Sequence, residues 1–78
     1  MSELKQKSIE LFFEEYGVTD PDKKAHLLTE ITDIVYDYNM HIINLEKETD
    51  AYKRNQILEG IKEVEAKIKD SIEDELKK

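Results

Sequence analysis

Apolar residues in this chain recur at helical spacing from end to end, and in the middle they cover more of the helix circumference than one buried face requires. Leu4, Ile9, Leu11, Phe12, Phe13 and Tyr16 form a first run, with Ser2 placed to cap it and Gly17 to end it. A short turn follows. In Val18-Thr19-Asp20-Pro21, Thr19 or Asp20 suits a cap and Pro21 an early helical position, so a second helix should start there and pack antiparallel to the first. Along it Leu27, Ile31, Ile34, Tyr38 and Leu45 alternate by four and three, with Leu28, Val35 and Ile42 alongside, and this is the expected main seam. Tyr36, Met40 and Ile43 align on the opposite side. Two apolar faces require two sets of neighbours, either other helices of the same chain or a second molecule.

The segment at 46–56 is mostly polar and lacks glycine and proline, yet the frame holding Leu27 to Leu45 does not continue through Ile57, Ile61, Val64 and Ile68. A straight helix carrying both would aim them in different directions. A break is therefore expected, with Thr49 or Asp50 as the next cap and Tyr52 as a staple of the turn, and an unbroken rod of ~85 Å is the alternative. The third helix carries a narrow stripe of Ile57, Ile61, Val64, Ile68, Ile72 and Leu76, which suits coiled-coil or bundle packing. Glu63 with Lys67, Glu65 with Lys69, Glu73 with Lys77 and Asp74 with Lys78 mark its solvated face. Gly60, beside the stripe, is either an exposed defect or a point of close approach. The helices expected are thus about 2–16, 21–47 and 50–76 of a single domain.

Size changes what this pattern implies. A chain of 78 residues buries a small core, and with no cysteine it lacks disulfides and the usual structural zinc ligands, so self-association is the remaining way to hide more apolar surface. A homodimer is expected. Nineteen acids against twelve bases, a net charge of -7, would repel nucleic acid and anionic membrane and favour a basic protein partner. The opening residues lack the uncharged apolar core of a signal peptide and no run is long enough to span a membrane, so a cytoplasmic protein is expected.

Candidate chemistry is confined to one stripe of the second helix, where His26, Glu30, Asp33, Asp37 and His41 follow one another by four, three, four and four. Glu30, Asp33 and Asp37 have no lysine or arginine one turn away. Carboxylates and imidazoles so spaced could share a divalent ion, and regularly spaced acids could equally imitate a phosphate backbone or fit a basic groove. Glu30 to Asp33, EITD, resembles the short ExxD element of helical nucleotide pyrophosphohydrolases. That resemblance implies magnesium held between helices, with Glu10, Glu14 and Glu15 as the companion acids. Phosphate-binding loops, cysteine nucleophiles and HExxH are absent from the sequence.

The sequence is therefore read as all-α, a three-helix antiparallel bundle in which a short first helix folds on a helical hairpin. Function follows by class: a non-enzymatic protein-protein interaction module, an adaptor or regulator without cofactor, with Tyr36, Met40, Ile43, Glu30, Asp33 and Asp37 as partner-binding residues. Next comes an acidic inhibitor that mimics nucleic acid or blocks a basic surface. A metal-dependent pyrophosphohydrolase-like enzyme comes third.

Overall fold

A computed structural model describes residues 5–77 and is all-helical over them: α1 (Ile9–Tyr16), α2 (Pro21–Lys47) and α3 (Ala51–Lys77). The first helix begins later than the sequence pattern suggests. Ser2 and Leu4 lie outside the described residues, and the observed cap is Ser8, whose Oγ accepts a 3.2 Å hydrogen bond from the Leu11 amide. The cause is Lys7, whose amide donates to Asn39 Oδ1 at 2.8 Å and whose carbonyl accepts from Asn39 Nδ2 at 2.9 Å. Backbone groups tied to another helix cannot join their own helical ladder. Gly17 closes α1 at φ 73°, and the Val18 amide bonds back to the Phe13 carbonyl at 2.8 Å. That closure turns the buried Val18 into the core.

Of the two candidate caps for α2, Asp20 is used. Its carboxylate accepts from the Asp22 amide at 2.9 Å, with Pro21 next in line. The break after α2 is also real. Asp50 Oδ2 accepts from the Lys53 amide at 3.0 Å and starts α3, so α2 and α3 form a hairpin rather than a rod. The greatest dimension is 43 Å, about the length of one 27-residue helix and half that of a rod through both.

Each end of the hairpin is closed by a cation from the opposite helix. Arg54 Nη1 donates to the Leu45 carbonyl at 2.7 Å and to the Glu48 carbonyl at 2.9 Å, satisfying groups that the end of α2 leaves open. At the other end Lys23 Nζ donates to the Glu75 carbonyl at 3.0 Å and to the Leu76 carbonyl at 3.4 Å. A positive charge at a helix C-terminus also opposes its dipole. Tyr52, expected to staple the turn between α2 and α3, is 70% exposed and accepts a hydrogen bond from Gln56 on its own helix.

One core joins the three helices. Leu27, Ile31, Val35, Tyr38, Ile42 and Leu45 of α2 pack with Ile61, Val64, Ile68 and Ile72 of α3, and Phe12, Phe13 and Val18 close one end. Ile9, Tyr16, Ile34 and Ile57 are partly buried against it. The Phe12 and Tyr38 rings meet edge to face at 5.3 Å.

Three details depart from the sequence pattern. Leu28 is 48% exposed and belongs to the outer side of α2, not to the seam. Leu76 is 40% exposed, whereas Glu75 is 6% exposed and ends the buried stripe of α3. Five helical turns take eighteen residues, so a straight helix that buries Ile57 returns to the same side at residue 75 rather than 76. Lastly, the pairs Glu63–Lys67, Glu65–Lys69 and Glu73–Lys77 form no ion pair among the described residues, and Lys78, the expected partner of Asp74, lies outside them.

Candidate interaction surface

The inner side of α2 is sealed by α3 and one flank is taken by the segment leading into α1, through the Lys7–Asn39 hydrogen bonds. Among the described residues nothing covers the side facing away from α3. Leu28, Tyr36 and Met40 stand there in line at multiples of four residues, 48%, 65% and 37% exposed, with Ile43 half-buried at their end. Tyr36 and Met40 therefore do not pack into the interior of their own chain, although the sequence allowed for this. Thr32, the residue between Leu28 and Tyr36 in that line, turns its hydroxyl back onto the Leu28 carbonyl and so offers the surface a methyl group.

On the other flank of this apolar line runs the stripe of His26, Glu30, Asp33, Asp37 and His41. The structure pins its two ends to α3 and leaves the middle open. His26 Nδ1 lies 3.6 Å from Glu75 Oε2, and Glu75 is the buried end of the α3 stripe. His41 donates from Nδ1 to the Asp37 carbonyl at 2.7 Å, one turn back on α2. Its ring then lies over Gly60: a Cβ placed on that glycine would stand 3.0 Å from His41 Cδ2 and Nε2. Gly60 is thus a point of close approach, and what approaches is an imidazole rather than a backbone. Between these ends Glu30, Asp33 and Asp37 are exposed, and their carboxylates have no ion-pair partner among the described residues.

The companion acids required for a shared metal do not gather there. Glu15 is engaged with Lys7 at 3.0 Å, Glu10 and Glu14 are exposed on α1, and among the described residues no group of three or more histidine or acidic side chains could hold an ion. Nor is any helix of the described residues long and apolar enough to cross a membrane.

A second titratable cluster, invisible in the sequence, lies beneath α1. Lys7 Nζ sits 5.3 Å from the Phe12 ring centroid and 5.8 Å from that of Tyr38, while Tyr38 is fully buried with no hydrogen-bond partner for its hydroxyl among the described residues. Burial, and then the charge of Glu65, push the Tyr16 phenol above its ordinary range. Burial likewise raises Tyr38, with the Lys7 ammonium opposing and Glu65 and Glu15 adding to the rise. For Lys7, burial is outweighed by the Glu15 hydrogen bond and the surrounding negative charge, and its pKa rises too. These groups face the core, not a ligand space. Lys7 had carried no signal in the sequence, because only the fold-back onto Asn39 brings it over the aromatic pair.

Comparison of the chain with protein-family models, with curated proteins and with solved structures gives no match, so the surface is read on its own chemistry.

Proposed function

We propose that this protein is a non-enzymatic interaction module, an adaptor or small regulator that engages a protein partner through the outer side of α2. The observation that carries this reading is Tyr36, a large aromatic residue 65% exposed in the middle of a line of apolar side chains that no other helix of the described residues covers. Aromatic and methionine side chains are the residue types that anchor protein contacts, and they are costly to leave in water. Leu28, Met40 and Ile43 extend the anchor, and Glu30, Asp33 and Asp37 form its polar rim.

A second reading, an acidic inhibitor of a basic or nucleic-acid-binding surface, is favoured by those same three carboxylates, which are exposed and without an ion-pair partner among the described residues. The small core would also be extended by a second copy on the same face, and sedimentation at high concentration tests for that occupant. One experiment separates the two readings. The Tyr36→Ala, Met40→Ala double variant and the Glu30→Gln, Asp33→Asn, Asp37→Asn triple variant are used as bait in a native extract beside the unaltered chain. The interaction module loses its partner with the first variant, the charge mimic with the second. If neither variant changes what is retained, the outer side of α2 is not the working surface.

A further inference from the structure

We infer that the partner segment on this surface is an amphipathic helix with lysine or arginine along one flank, and not a second copy of this chain; the inference rests on the interaction reading and deepens it. A helix suits the shape, since the exposed side of one helix is a convex ridge of side chains that another helix meets ridge into groove. From Leu28 to Ile43 the apolar line runs ~22 Å, matching about four turns of a partner helix.

The flank decides the charge. Glu30, Asp33 and Asp37 are exposed along one edge of the line, and among the described residues no base is paired with them. Any occupant of the apolar line brings its own flank within a few ångströms of these carboxylates. A second copy would supply more acid in either orientation. In an antiparallel pair related by a two-fold axis each flank meets its own equivalent, so the three carboxylates of one chain face those of the other. In a parallel pair they face the flank taken by α1 and the segment leading into it, where Lys7 is already engaged with Glu15 and the remaining base, Lys5, is outnumbered by Glu10 and Glu14. A net charge of -7 on each copy adds to the penalty. A basic flank turns the same geometry into attraction that salt should screen, because the Debye length is ~10 Å at 0.1 M.

The test uses the isotope-labelled full chain and three synthetic helical peptides followed by NMR. The first peptide has a leucine stripe flanked by lysine; the second has the same stripe flanked by glutamate; the third keeps the lysines and scrambles the stripe. The lysine-flanked peptide is expected to shift amides along the outer side of α2 between residues 28 and 43. Its affinity should fall at least tenfold with Tyr36→Ala, at least tenfold with Asp33→Asn plus Asp37→Asn, and similarly on raising salt from 50 to 500 mM. Thermal melts confirm that these surface variants fold. If lysine- and glutamate-flanked peptides bind this face equally and Tyr36→Ala weakens both, the interaction reading stands and the basic-partner inference falls. A dimer seated on this face, broken by Tyr36→Ala, likewise removes the inference alone. Shifts spread over the whole acidic surface and unchanged by scrambling the stripe, or no shifts on this face with a chain that stays monomeric, remove both.

Discussion

The two sides of α2 are built from similar residues and have opposite fates. Ile31, Tyr38 and Ile42 are wholly buried against α3 and α1, while Leu28, Tyr36 and Met40, on the same helix and at the same kind of spacing, remain in solvent. The difference lies in the neighbours. The stripe of α3 is one face wide, and α1 has only eight residues, enough to close an end of the hairpin and one flank. Among the described residues no other element is packed over the other side. What this teaches is that apolar periodicity marks surface that must be covered, without saying by which molecule.

The contrast is broken most severely from the inside. Ile42→Ala, at a position with no solvent exposure, is expected to lower stability by about 2 to 5 kcal/mol, measured by urea denaturation. A smaller effect comes from the buried hydroxyl. Removing an unsatisfied polar group should leave Tyr38→Phe as stable as the parent or up to ~1 kcal/mol more stable at neutral pH. Alkali sharpens this test. Tyr16 and Tyr38 hold their protons more tightly in the folded chain than the ordinary value of 10.0, so the folded state binds more protons once the unfolded phenols begin to ionise. Their contribution is fully present below that value and is lost as pH rises through the higher folded values. Lys7, raised from 10.5, acts with the same sign. Melting temperature should fall above about pH 10, less steeply in Tyr38→Phe, and an equal slope in the two proteins would contradict the assignment.

At the boundary between the two sides, Gly60→Ala gains helix propensity of up to ~1 kcal/mol and at the same time presses a methyl group against His41. Less than the full gain is expected in the parent and the full gain in a His41→Ala background, read as a double-mutant cycle. The smallest effect belongs to the outer side. Tyr36→Ala should change the stability of the free chain by no more than ~0.5 kcal/mol, against the large loss at Ile42. A destabilisation of 2 kcal/mol at Tyr36 would mean that this side is already covered in solution.

Some of this arrangement is legible residue by residue. Helix ends are local chemistry, so Gly17 is readable as it stands and the next two caps narrow to Thr19 or Asp20 and to Thr49 or Asp50, while the change of heptad frame after Leu45 favours a break over a rod. The apolar line at Tyr36 and Met40 and the acids beside it are visible for the same reason, since a regular helix turns sequence spacing into direction. The start of α1 is less accessible: the apolar run points to Ser2 as the cap, and the start falls at Ser8 because Asn39, more than thirty residues away, takes both backbone groups of Lys7. Leu76 misleads because composition favours it, while the turn count favours Glu75.

Order and type of the three helices, their caps and their apolar stripes come from interactions within a few residues, which the sequence contains in full. Which stripe is buried, which cation closes which helix end, why Gly60 must be small and why the Tyr38 hydroxyl has no hydrogen-bond partner among the described residues depend on groups brought together across the chain. Those outcomes are decided by the finite supply of apolar surface and by the directions in which packed helices present it, quantities that exist only once the helices meet.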